Sequence, residues 1–155
     1  MFRIESLDPT PFAPLFALDE AELADRLARR VVASADMGFP CRASLRDAPR
    51  GETLILANYQ HQSAATPYQA THAVYIRENA EKAELRPGEV PAMFETRTLS
   101  LRGFDARGLM RDAAVVEGRD LAGALDALFG NQSIAEIHIH FAAPGCFAAR
   151  AVRAG

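Results

Sequence analysis

The chain of 155 residues is 49% apolar and 24% charged, with a net charge of −3. That balance is enough to bury a core and excludes a disordered chain. Of the 17 basic residues only Lys82 is lysine, and the arginines are scattered, at positions such as Arg3, Arg29, Arg50, Arg86 and Arg119. With no basic stripe, binding to nucleic acid is not expected. Met1-Phe2-Arg3-Ile4-Glu5 lacks the pattern of a secretory signal. No apolar run approaches the ~18 residues that cross a bilayer; FAAPGCFAA at 141–149 comes nearest and is broken by Pro144-Gly145. A single cytoplasmic domain over 1–155 is expected, off the membrane, with Cys41 and Cys146 as thiols.

In chain order, residues 2–7 (FRIESL) alternate and predict a first strand. Pro9, Pro11 and Pro14 predict an irregular, extended connection. A helix is expected next. Asp19 offers an N-cap, Glu22 follows at capping-box spacing, and Leu23, Leu27 and Val31 fall on one face. Residues 53–59 (TLILANY) and 72–77 (HAVYIR) read as strands joined by QHQSAATPYQAT, a long connection of the kind that often carries function. Pro87, Gly88 and Pro91 mark a surface loop over 84–91. Strands at 97–102 and 109–116 flank the hairpin signal Asp105-Ala106-Arg107-Gly108.

A second helix over 120–129 has Leu121, Leu125, Leu128 and Phe129 as its buried stripe and Gly130 as its stop. The strand 134–141 (IAEIHIHF) runs into a Pro-Gly turn and a short strand at 147–152. Strands outnumber helices and do not alternate with them. The expected fold class is therefore α+β, a mostly antiparallel sheet with two helices packed on it. A doubly wound parallel sheet is the weaker alternative.

Side chains able to do chemistry gather in four short segments, which read together as one pocket. His138 and His140 share a strand face with Ile134 and Glu136, opposite Ala135, Ile137, Ile139 and Phe141. Imidazoles so spaced can converge on a metal or a substrate, although a solvated outer face fits the same pattern. His61, His72, Glu136 and the two cysteines are the further candidate ligands, and no spacing singles out a complete metal set.

In Ala143-Pro144-Gly145-Cys146-Phe147 the turn opens the backbone toward a ligand. His140, six residues before Cys146, is a candidate to activate its thiol; a small buried apolar role is the plain alternative. Gly38-Phe39-Pro40-Cys41-Arg42 has a similar composition. Two thiols with Cα atoms within ~7 Å could form a reversible disulfide, but chance explains the likeness of the two turns more simply. Asn58, Tyr59, His61, Thr66, Tyr68 and His72 form a third concentration, with His72 on the face of Val74 and Ile76. Arg42, Arg77 and Arg150 lie nearest these segments, and their planar forks suit carboxylate or phosphate. No P-loop, GxGxxG, HExxH, GxSxG or CxxC occurs.

As an ordered set, GFPCR (38–42), NYQHQ (58–62), TPYQATHAVYIRE (66–78) and PGCFAAR (144–150) resemble the bacterial family called domain of unknown function 1203. The resemblance runs from FRIESLDPTPFAPLF to the carboxyl end. It implies a small stand-alone bacterial protein and assigns no catalytic residue and no cofactor.

Three readings follow. The first is a small-molecule pocket, enzymatic or not, in which Cys146, His140 and His138 carry thiol and histidine chemistry. Arg42, Asn58, His61, Tyr68, His72, Arg77 and Arg150 would hold a polar or anionic ligand. The second is a non-catalytic binding or regulatory protein, a homodimer through a sheet edge. The third is a metal-binding protein, which requires at least three of the named ligands within coordination distance.

Overall fold

The alternation read in 134–141 becomes the strand Glu136–Phe141, and one of two sheets is built around it. In the computed structural model, which describes all 155 residues, the strands are β1 (Phe2–Glu5), β2 (Ala28–Val32), β3 (Pro40–Cys41), β4 (Arg46–Asp47), β5 (Thr53–Gln62), β6 (Ala70–Arg77), β7 (Thr98–Phe104), β8 (Met110–Glu117), β9 (Glu136–Phe141) and β10 (Phe147–Arg153). The helices are α1 (Glu20–Asp25) and α2 (Leu121–Phe129). The fold class is α+β, with mostly antiparallel strands arranged in two sheets. The chain divides into two compact units: Met1–Glu5 with Gln60–His72 and Glu84–Gly155, and Ser6–Tyr59 with Ala73–Ala83.

In the first unit the sheet order is β1-β10-β9-β7-β8, every pair antiparallel. Leu99, Leu101, Ile137, Ile139 and Phe141 are buried together in register on one face. Helix α2 packs against β7 and β8 and buries the expected stripe Leu121, Leu125, Leu128 and Phe129. The opposite face of the same strands carries His138, His140 and Arg102, because alternate residues of a strand leave opposite faces. The expected hairpin at 105–108 is present. The Asp105 carboxylate accepts from the backbone N–H groups of Arg107 and Leu109.

The second unit is organised around the order β2-β5-β6-β3-β4. Strand β2 runs antiparallel to β5, and β3 runs parallel to β6 at Cys41 and Tyr75. Ala33, Ala48 and Leu54 form a buried cluster with Phe39 and Tyr75 against it.

Two local expectations fail here for identifiable reasons. The proline run 9–14 forms not an extended connection but a 3₁₀ helix, Thr10–Ala17. Proline's fixed φ suits that helix, and the missing N–H of Pro11 matters little in the first turn, where donors are unpaired anyway; Pro14 lies inside the helix. Helix α1 begins at the expected capping box of Asp19 and Glu22 but stops after one and a half turns. Leu27 takes φ 54°, and Arg29 to Val32 pair with β5 instead. Leu27 is therefore 71% exposed and does not extend the Leu23 face.

One close approach holds the first unit's connections together. A Cβ on Gly118 would lie 1.6 Å from the Phe94 carbonyl oxygen, a backbone atom that cannot move aside. Gly118→Ala is expected to cost about 3 kcal/mol or more. Gly123→Ala, in an open position of α2, is expected to stabilise by about 0.5–1 kcal/mol. Thermal melts of the two variants beside the parent test the pair; a Gly118→Ala protein melting with the parent would refute the packing argument.

Candidate functional site

The chain contains four histidines, and the first unit brings all four together. His138 and His140 project from β9. His61 sits near the end of β5 and His72 near the start of β6. The connection between those two strands is held by Thr66 Oγ1, which donates to the Gly108 carbonyl at 3.1 Å, and by Tyr68, whose ring lies 6.1 Å from Phe104. The His61 ring lies 5.0 Å from His72, 5.1 Å from His138 and 4.7 Å from His140, centroid to centroid. His72 lies 5.3 Å from His140. Phe147, in register with His140, stacks on His61 at 5.3 Å, and Phe104 flanks His138 at 4.8 Å. One ring nitrogen from each of His61, His138 and His140 lies within 4.8 Å of the other two.

The hydrogen bonds fix the proton on each of three rings. Glu136 Oε1 faces His138 Nε2 at 3.0 Å. A carboxylate only accepts, so His138 carries a proton on Nε2, and in the neutral ring Nδ1 is left as a lone pair. His61 Nδ1 lies 2.9 Å from that Nδ1 and must donate to it. The proton of His61 is then on Nδ1, and Nε2 is bare. His140 Nδ1 donates to the Gly145 carbonyl at 3.0 Å, which leaves its Nε2 bare as well. Gly145 holds φ +76°, a conformation that glycine adopts without strain. Both bare nitrogens, His61 Nε2 and His140 Nε2, are buried and without a hydrogen-bond partner.

Behind His138 the network continues outward. Arg150 reaches Glu136 Oε2 at 3.2 Å and Glu5 Oε2 at 2.6 Å. The hydrogen bond from His138, opposed by burial and helped by Arg150, holds the Glu136 carboxyl below its usual range. Burial pushes His140 down to about 2, opposed by the hydrogen bond to the Gly145 carbonyl and helped by the charges of Arg102, His61 and His138. Burial also pushes His61 down to about 3, with further contributions from His138, His72 and Arg102. His61 and His140 are therefore neutral at physiological pH, the state in which imidazole is a metal ligand.

Residues 38–153 match the family described as protein of unknown function (DUF1203). The chain belongs to that family. No curated protein and no solved structure matches the chain. Residues 1–37 lie outside the matched range.

Among the residues singled out in sequence, the DUF1203 protein brings His61, His72, His138 and His140 into one cluster. Arg150 joins it through Glu136, and Tyr68 borders it through Phe104. Cys146 follows the Gly145 turn, but neither nitrogen of His140 is hydrogen-bonded to its sulfur. Asn58, Arg42, Arg77 and Cys41 belong to the second unit, and no disulfide joins the cysteines. There Arg77 pairs with Glu52 at 2.8 Å, buried Arg42 donates to the Pro40 carbonyl at 2.6 Å, and Cys41 Sγ accepts from the Arg77 backbone. Asn58 lines a concavity of about 620 Å³ with Leu27, Ala28, Leu56 and Ala73; no histidine or cysteine lines it.

Sequence reasoning passed over Arg102, Phe104, Phe147, Glu5 and the Gly145 carbonyl. Strict alternation would have put Phe147 and Arg150 on opposite faces; a register shift between Phe147 and Ala149 brings both to the histidine face, and only the strand register identifies Arg102.

The depressed histidines set the acid behaviour of the metal-free protein. Below pH ~6.5 the unfolded chain takes up protons that His140 and His61 refuse in the folded state, so stability is lost as pH falls. For fully buried His140 the slope approaches about 1.4 kcal/mol per pH unit. Glu5 and Glu136 are held below their usual values and do not contribute between pH ~6.5 and ~5. Urea midpoints of the chelator-treated protein should therefore fall across that window, and His140→Leu should flatten the fall. A midpoint independent of pH in the parent protein would contradict the buried neutral cluster.

Proposed function

We propose that this protein binds a first-row divalent metal ion through His61, His138 and His140, with His72 beside them, and keeps a coordination position open for a small ligand. The observation that carries the reading is the pair of buried bare nitrogens, His61 Nε2 and His140 Nε2, on two of three imidazoles that each bring one ring nitrogen within 4.8 Å of the others. Leaving such a group unsatisfied costs about 1–3 kcal/mol each, and a metal ion recovers that cost. The surroundings support the reading. Glu136 on His138 and the Gly145 carbonyl on His140 occupy the ring nitrogen that each ligand leaves behind, as metal-bound histidines require.

The donor set selects the ion. Imidazole nitrogens suit zinc, iron, cobalt, nickel or copper, whereas calcium and magnesium take oxygen. Tetrahedral ligands at ~2.0–2.1 Å from an ion stand about 3.3 Å apart. The 2.9 Å contact joins the two Nδ1 atoms, so His61 must turn its ring to bring its bare Nε2 to that spacing from His138 Nδ1.

Three protein ligands and an open position characterise catalytic rather than structural centres. Such an ion polarises a bound oxygen and lowers the pKa of bound water to ~7. The reading is accordingly metal-assisted chemistry on a small polar substrate. It is favoured over thiol chemistry at Cys146 because His140 makes no hydrogen bond to that sulfur.

Calorimetric titration of chelator-treated protein with Zn²⁺ and Co²⁺ tests the proposal. One equivalent should bind at micromolar affinity or tighter, and alanine at His61, His138 or His140 should each weaken it by about a hundredfold or more. Glu136→Gln, which removes only the support behind His138, should cost about 10–100-fold. Absence of metal uptake by the folded parent protein would sink the reading.

A further inference from the structure

Arg102 is the charged group that metal binding leaves unexplained. It stands in β7 opposite His138 of β9, so the two side chains leave the sheet on the same face. On its other flank the register partner is Ala113 of β8, which offers a guanidinium no acceptor. Other arginines of this sheet are engaged: Arg150 by Glu5 and Glu136, Arg111 by Asp105, and Arg153 by the carbonyl oxygens of Phe129, Asn131 and Ile134. Arg102 is half-buried and has neither a carboxylate nor a carbonyl partner. Burial lowers its pKa, with no acceptor opposing the shift. Its charge also reaches His61 and His140. A partly desolvated cation without a counter-charge is costly, and beside a metal ion it is costlier still.

We infer that Arg102 is the anion-binding residue of the metal centre, and that the ligand is a small organic carboxylate held between the ion's open position and the guanidinium fork. This rests on the metal reading above. The planar fork matches a planar carboxylate through two parallel hydrogen bonds. The rings of Phe104 and Phe147, 4.8 Å from His138 and 5.3 Å from His61, offer an apolar wall to the organic remainder. Inorganic phosphate has no such remainder to bury.

The test uses the full chain loaded with Co²⁺, whose visible spectrum reports the ligands of the ion. Benzoate, acetate and inorganic phosphate are titrated into the parent, Arg102→Gln and Arg102→Lys. In the parent, benzoate should perturb the spectrum saturably and more tightly than acetate or phosphate. Arg102→Gln should weaken benzoate by about tenfold or more while binding Co²⁺ at least as tightly, because a neighbouring positive charge has gone. Arg102→Lys keeps the charge and loses the fork; it should hold Co²⁺ like the parent and still bind benzoate less well. Opposite changes for metal and carboxylate in Arg102→Gln would not follow from a general loss of structure. Equal benzoate affinity in all three proteins overturns the role of Arg102 and leaves the metal reading intact. Tighter phosphate than benzoate overturns the carboxylate assignment. A parent that takes up no Co²⁺ overturns both readings.

Discussion

The hydrogen bond between Glu136 and His138 settles the protonation of its neighbours. Because the carboxylate can only accept, the Nε2 proton of His138 is committed to it, and the lone pair must face inward. That lone pair then orients His61, whose own proton is used up in reaching it. The opposite edge of the His61 ring is left bare as a consequence. His140 is set independently, by the carbonyl that the Gly145 turn presents. Two local choices, an acid two residues before His138 and a glycine five residues after His140, thus leave one bare nitrogen on each of His61 and His140.

That arrangement runs against folding stability. A β-protein core fills most easily with branched aliphatic side chains, as the other face of β9 does with Ile137 and Ile139. Replacing them on this face with imidazoles surrounded by Phe104 and Phe147 removes ring nitrogens from water without giving two of them a partner. Polar groups held in that condition occur where a site needs them preorganised. Arg150 supports the arrangement from behind: by bridging Glu5 and Glu136 it adds to the His138 hydrogen bond in holding the Glu136 carboxyl low.

Much of this was legible in the sequence, and the boundary of legibility has a physical cause. Period-two alternation placed His138 and His140 on one face of a strand, and helical spacing gave the buried stripe of α2. Capping chemistry gave the start of α1. Its end was hidden because a leucine, Leu27, holds the left-handed conformation usually left to glycine. The site was half visible. Histidines on separate segments were expected to meet, and they do, but which atoms meet depends on strand register, which no single strand encodes. Arg102 is the clear case, since its relation to His138 exists only through the β7–β9 pairing. Cys41 and Arg42 were drawn in by compositional likeness to the 144–150 segment, yet their contacts are with Arg77, Pro40 and Tyr75 of the second unit.

Charge counting on the histidine face joins these strands of argument. Glu5, Glu117 and Glu136 balance Arg3, Arg102 and Arg150 on this face, so it is neutral as long as the imidazoles are neutral. The cancellation is uneven in space, because Glu5 and Glu136 are spent on Arg3, Arg150 and His138, and Glu117 accepts from Thr98. A divalent ion among neutral imidazoles adds two charges that no side chain of the cluster offsets, on the side where Arg102 already stands uncompensated. In a site screened by aromatic rings such an excess persists only with an anion beside it. The same placement that makes Arg102 unfavourable in the protein alone therefore makes metal and anion binding cooperative: the ion supplies the attraction that draws the anion in, and the anion relieves the repulsion that the ion meets at Arg102.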